Sequence, residues 1–183
     1  MNTQTRPATP RRTRGLTLIE CMVALAVSAV VAGTAVPGFQ ATLERRHLEG
    51  AAAQLETDLA MARSAAVAAN RSLRISFENS AAGSCYVIHS GAAGSCACNG
   101  AALPSCTGAE QMWRSVQFAA GGPVALQTNV RSMVLDPDKG TVSPTGTLRL
   151  VGRGGHGVNV VVNIMGRVRQ CTPTPPLNGF RAC

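Results

Sequence analysis

Four closely spaced cysteines, Cys85, Cys96, Cys98 and Cys106, with His89 among them, are by type the residues best suited to hold a metal, because thiolate and imidazole are zinc's usual ligands. The spacing argues against it. Cys96-x-Cys98 is not the usual Cys-x2-Cys knuckle, and no second ligand pair stands at zinc-finger distance, so no metal is expected. The glycine-rich run Gly152-Arg153-Gly154-Gly155-His156-Gly157 invites a phosphate-loop reading, but such loops open onto the N-terminus of a helix. Here a strand-like alternation follows, so the run reads as a hairpin loop to which Arg153 adds charge. His47, His89 and His156 offer a base and serines abound, yet no Gly-x-Ser-x-Gly motif frames a nucleophile. No catalytic residue and no cofactor is expected. The chemistry left is that of charge: Glu20, the one formal charge between Leu16 and Phe39, and a C-terminal quarter without any acid.

Beyond Asp138 stand Lys139, Arg149, Arg153, Arg167, Arg169 and Arg181 and no aspartate or glutamate. Arg167 and Arg169 are two apart, so in an extended segment both point to one face, and Gly166 before them removes a side chain from the approach. The guanidinium fork suits phosphate oxygens. Arginines on the solvated face of an edge strand, where charge discourages aggregation, would look the same. Base reading is not expected, since aromatics make up 3 % of the chain and none interleaves with these arginines.

The elements that must position these residues follow from periodicity. Residues 1–15 carry Arg6, Arg11, Arg12 and Arg14 with Pro7 and Pro10 and read as a cytoplasmic leader. Without them the 17 basic residues fall to 13, against 9 acidic ones, so the whole-chain charge of +8 overstates the basicity. Leu16 to Phe39 would span ~36 Å as a helix, enough to cross a bilayer core. A carboxylate near the centre of such a segment costs roughly 2.5–3.5 kcal/mol on insertion scales, so Glu20 implies a function or a partner. The same basic start and Gly33-Thr34-Ala35 would also fit an ordinary secretory signal leaving Val36 as the first residue, against which Glu20 speaks.

Over residues 40–70, Leu43, Leu48, Ala52, Leu55, Leu59, Ala62, Ala66 and Ala69 mark one face of a continuing helix, with Arg45, Glu49, Glu56 and Arg63 on a solvated side. From residue 71 to 183 the period becomes that of strands. Leu73 to Glu78, Cys85 to His89, Met112 to Phe118, Arg131 to Leu135, Leu148 to Val151 and Val158 to Ile164 are the candidates, the last with Val158, Val160, Val162 and Ile164 inward. Ser90 to Gly108 reads as loop, and Asp136-Pro137-Asp138-Lys139-Gly140 as a turn. The basic residues before the anchor keep the N-terminus cytoplasmic, which puts the head in an oxidising space where its six cysteines suggest disulfides. Cys171 and Cys183 are expected to close the proline-rich loop between them. Among Cys85, Cys96, Cys98 and Cys106 the connectivity stays open, with Cys98 or Cys96 joined to Cys106; Cys21 serves as a small apolar residue in the anchor.

Gly15-Leu16-Thr17-Leu18-Ile19-Glu20, with Pro37 further on, resembles the class III signal of type IV pilins and type II secretion pseudopilins. Leu59 to Ala66 ahead of a first strand is similar to minor pilins and pseudopilins of the GspH and FimT/FimU group. Gly166-Arg167-Val168-Arg169 resembles the Gly-Arg-x-Arg motif of FimT-type minor pilins. The resemblance implies an α+β, type IV pilin-like fold: a long N-terminal helix, transmembrane then amphipathic, packed on an antiparallel β head. It also implies cutting by prepilin peptidase between Gly15 and Leu16, with a methylated Leu16, and pairing of Glu20 with a neighbouring subunit's amine in assembly. The partners implied are other major and minor pilins, inner-membrane lipid before assembly, and double-stranded DNA held weakly and without sequence preference by Gly166, Arg167, Arg169, Arg181, Arg153 and Arg149. The place implied is the inner membrane with a periplasmic head, then the pilus or cell surface. Two functions fit: a minor pilin that takes up DNA in transformation, or a GspH-like pseudopilin with a structural role in type II secretion.

Overall fold

A computed structural model describes residues 15, 17–98, 103–108 and 111–183. They fall into two compact units that divide between Gln40 and Ala41. One helix, α1 (Leu18–Ala69), runs 52 residues. Thr17 caps it: the Glu20 amide donates to Thr17 Oγ1 at 3.3 Å and the Cys21 amide to the Thr17 carbonyl at 3.2 Å. Thr17 and Glu20 thus have the Thr-x-x-Glu spacing of a capping box, of which the threonine half is made, and a carboxylate in the first turn also favours the positive end of the helix dipole. The other end closes as a Schellman motif. Asn70 takes φ 47°, its amide donates to the Val67 carbonyl, and the Arg71 amide donates to the Ala66 carbonyl. By length and composition, at a mean hydropathy of 2.1 over its most apolar stretch, this helix can cross a membrane.

In the second unit α1 lays Leu48, Ala52, Leu55, Leu59, Ala62 and Ala66 into the core, as the spacing implied, while Leu43 and Ala69 at the two ends remain exposed. Two antiparallel sheets receive this face. The first has the order β5-β2-β1-β7-β8, built from β1 (Leu73–Ser80), β2 (Gly83–Ser90), β5 (Met112–Ala119), β7 (Ser132–Leu135) and β8 (Val142–Ser143). The second has the order β11-β10-β9-β6, from β6 (Val124–Thr128), β9 (Gly146–Gly152), β10 (Gly157–Val162) and β11 (Val168–Cys171). Leu73, Ile75 and Phe77 from the first sheet, and Leu148, Leu150, Val158, Val160 and Val162 from the second, share one apolar cluster with the helix. Transfer of each such side chain from water contributes roughly 1.5–3 kcal/mol.

Two readings need correction. The alternation of β10 ends at Val162, because Asn163 opens a turn, and Ile164 is 58 % exposed instead of inward. The side of α1 expected to face only solvent is tied to the head. Glu44 accepts from the Gly154 amide at 2.6 Å, Glu56 accepts from Gln170 Nε2 at 2.6 Å, and Arg63 Nε donates to the Gly140 carbonyl at 2.7 Å. Arg45 and Glu49 form the expected local pair at 2.6 Å, and Arg46 reaches the same Glu49 at 3.7 Å.

The interval read as loop holds a two-stranded piece, β3 (Cys96–Ala97) with β4 (Ser105–Cys106), which covers the outer face of the first sheet. Disulfides join Cys85 to Cys98 and Cys96 to Cys106, and a third joins Cys171 to Cys183; Cys21 is free and exposed. Under this cover lies a satisfied histidine. His89 is fully buried, with Nδ1 3.0 Å from the Ser90 carbonyl and Nε2 2.9 Å from Ser76 Oγ. A carbonyl only accepts, so Nδ1 carries the proton and the Ser76 hydroxyl donates to Nε2.

One buried charge fastens the helix to the first sheet. Asp58 is 2 % exposed and accepts from Tyr86 Oη at 2.6 Å, Arg114 Nε at 2.9 Å and Gln54 Nε2 at 2.9 Å. Burial, and then the hydrogen bond and negative charge of Asp58, hold the Tyr86 hydroxyl protonated far above its ordinary range, against the opposing pull of Arg114.

Candidate nucleic-acid interface

The four-stranded sheet has one face on the core and one toward water, and register decides which arginines share the outer one. Asn159 on β10 sits opposite Arg149 on β9 and Cys171 on β11; Val161 sits opposite Thr147 and Arg169. Since inward residues are Leu148, Leu150, Val158 and Val160, the alternating set Arg149, Asn159, Val161 and Arg169 is outward. Arg167 has the same parity as Arg169. Both are exposed, and Val168 between them packs against the core. At a strand rise of about 3.3 Å their Cα atoms are roughly 6.6 Å apart along one edge strand. Among the described residues neither guanidinium enters an ion pair or side-chain hydrogen bond.

The arginines read together from sequence separate in space. Gly166 lies against Arg63, whose Cδ would be 3.0 Å from an added Cβ, and Gly154 lies against Glu44. Nineteen residues of helix separate those two anchors, about 28 Å. Arg153 is therefore at the opposite end of the sheet from Arg167, and its guanidinium is spent on the carbonyls of Gly121 and Gly122 in the β5–β6 turn. Arg149 shares the face but is half-buried, its Nε unpartnered above Gly157. Arg181 is exposed, and its carbonyl accepts from the Thr172 amide where the tail returns to β11. The surface pair is thus Arg167 and Arg169, with Arg149 on the same face two strands away; Arg181 follows Gly179, which lies against Arg45, and so stands toward the end that holds Arg153.

Gly166 has a structural reason of its own. It sits at φ 68°, where a side chain is strained, and an added Cβ would press on Arg63 and Val142. The turn and the helix contact therefore call for glycine here by themselves.

The glycine-rich loop does cradle an anion, but one of the chain's own. The Gly154 amide donates to Glu44 and His156 Nδ1 lies 3.3 Å from the same carboxylate, and a Cβ at Gly152 or Gly154 would collide with it. Glu78, Cys85 and Cys98 cluster closely enough to bind a metal, but the two sulfurs are joined to each other and offer no thiolate. At the N-terminus, Gly15 is described and Leu16 lies outside the described residues. Glu20 is exposed in the first turn of α1. The signal that could have found the cap was Thr17 three residues before Glu20.

Comparison with known proteins places this geometry among relatives. The family described as Type II transport protein GspH matches residues 51–166, and the prokaryotic N-terminal methylation motif matches residues 10–36. Among solved structures, the minor pseudopilin EpsH from the Type 2 Secretion System of Vibrio cholerae is similar at a TM-score of 0.50 and 12 % identity, over 69 % of this chain and 98 % of that one. The type IV minor pilin FimU of Pseudomonas aeruginosa is similar at 0.51 and 20 % identity, over 72 % and 96 %. No curated protein matches.

Proposed function

Because the chain belongs to the GspH family and carries the N-terminal methylation motif, we propose that it is a minor pilin whose head presents a phosphate-binding strip to DNA. Its apolar helix anchors it in the inner membrane with the head in the periplasm. Prepilin peptidase cuts between Gly15 and Leu16, Leu16 is methylated, and Glu20 then pairs with the amine of a neighbouring pilin. Before assembly the carboxylate is not idle, since the helix N-terminus already stabilises it.

The observation that carries the DNA reading is the pair Arg167 and Arg169, without a side-chain partner among the described residues, on one exposed face and in a stretch of sequence that holds no acid. A few phosphate contacts predict a Kd on the order of 10⁻⁴ to 10⁻⁶ M that weakens as salt rises. Fluorescence anisotropy of a labelled duplex with the detergent-solubilised full chain measures this. Absence of binding at low salt would remove the DNA role and leave a structural pilin.

The second reading, a pseudopilin of a type II secretion system, is supported equally by the GspH match and the likeness to EpsH. A deletion strain discriminates: loss of transformation with normal secretion favours the pilus, and the reverse favours the secretion system. Both readings predict the same processing. Mass spectrometry of membrane-extracted protein should give a chain beginning at Leu16, and Glu20→Ala should be cut normally but enter filaments poorly. A chain beginning at Val36 would exclude both.

A further inference from the structure

The turn that joins β10 to β11 has a composition its conformation does not require. Asn163, Ile164, Met165 and Gly166 form a β-turn closed by the Gly166 amide on the Asn163 carbonyl at 2.9 Å. Asn at the first position and Gly at the fourth are the residues such a turn favours. The Arg167 amide donates to Asn163 Oδ1 at 2.8 Å, the Asn163 amide donates to the Arg167 carbonyl at 3.1 Å, and the Val142 amide donates to the Ile164 carbonyl at 2.8 Å. The backbone is held from three sides. Yet its two central side chains, for which a polar pair would serve, are Ile164 and Met165, exposed to 58 % and 54 %. The next residues along the chain with free charge are Arg167 and Arg169.

An apolar tip on a backbone-held hairpin turn at the end of the sheet, beside arginines that have no side-chain partner among the described residues, matches what minor-groove proteins use to wedge open a base step. We propose that Ile164 and Met165 form such a wedge: while Arg167 and Arg169 hold phosphates, the tip enters the minor groove of a DNA duplex and partly unstacks a base step. This rests on the DNA reading above and states how the duplex is held. It requires no base-edge hydrogen bonds, consistent with the lack of a stacking platform, and it gives a preference for easily unstacked pyrimidine–purine steps over stiff A-tracts. Exposed apolar side chains next to arginines would otherwise be expected to cover a pilin neighbour, and the test separates the two.

The full chain in non-ionic detergent is titrated into a duplex carrying 2-aminopurine at a central TA step and a donor and acceptor dye at its ends. Binding is followed in parallel by anisotropy across salt concentrations. The expected result is a rise in 2-aminopurine fluorescence and in energy transfer on binding, and affinity for the TA duplex about three- to fivefold above that for an A-tract duplex. In Ile164→Ser with Met165→Ser both optical signals should disappear and affinity fall about five- to tenfold, with the salt slope unchanged. Both positions are exposed, so thermal unfolding of the variant should match the parent. Salt-dependent binding by the parent without either optical signal would overturn the wedge and leave the phosphate grip standing. Retention of the signals in the double variant would overturn it as well. Failure of the parent to bind any duplex at low salt would remove the DNA reading, and the wedge with it. Normal DNA behaviour in the variant with loss of filament incorporation would assign the tip to a pilin neighbour and overturn the proposal.

Discussion

Arg167→Gln with Arg169→Gln should lower DNA affinity at least tenfold and remove about 1.8 units from the slope of log affinity against log salt. Each neutralised phosphate contributes about 0.9 units for duplex DNA, and this variant deletes two of the few contacts the surface can make. Glutamine keeps length and polarity, and neither guanidinium has a side-chain partner among the described residues, so the unfolding temperature should stay within a degree or two. Arg153→Gln is the informative control. It breaks hydrogen bonds to Gly121 and Gly122 at the far end of the sheet, so it should lower stability modestly and leave the slope alone. An unchanged slope in the double variant, or a reduced one in the control, would relocate the contacts.

The second large effect is on stability. Asp58→Ala leaves the Tyr86 hydroxyl buried without its acceptor, a penalty of about 1–3 kcal/mol, and opens a small void between helix and sheet. Arg114 is half exposed and can turn to water, so its release costs little. The total is about 3 kcal/mol, equivalent to a fall of about 6–12 °C in unfolding temperature for a chain of this size. Asp58→Asn keeps an acceptor for Tyr86 and should lose about half as much. The same cluster sets an alkaline limit. The folded Tyr86 hydroxyl titrates above its ordinary value, so its contribution is complete below about pH 10 and is lost as pH rises beyond that. Tyr86→Phe should remove that dependence. A fall of less than 2 °C in Asp58→Ala would show that the buried carboxylate costs nearly as much as it stabilises.

Hydrophobic period made most of this fold legible. The apolar face of α1 and the alternation of β1, β9 and β10 are local patterns, and six of the eight residues marked on the helix are buried. Polar ties were not legible, because nothing local distinguishes Glu44, Glu56 or Arg63 from solvated charges. Their partners stand 77 to 114 residues away. The strand β6 was hidden behind Gly121-Gly122-Pro123, which reads as loop although Val124 and Leu126 alternate inward. For the site, two-residue spacing was enough to put Arg167 and Arg169 on one face. It could not reveal that Arg153 belongs to the opposite end, since that follows from the direction in which β9 and β10 cross the helix.

The ties from α1 to the last third of the chain also set an order in time. The disulfides close short intervals of 13, 10 and 12 residues and can form as soon as each segment is exported. Glu44 must wait for Gly154 and Glu56 for Gln170, at separations of 110 and 114 residues. Contacts of such long range slow folding, because the loop-closure entropy is lost before the contacts are gained. Until β9, β10 and β11 arrive, the face Leu48 to Ala66 has no cover on one side. A newly exported chain therefore passes through a period in which its helix is already anchored and its core is still open, the stage most exposed to proteolysis and to wrong pairing with a neighbour.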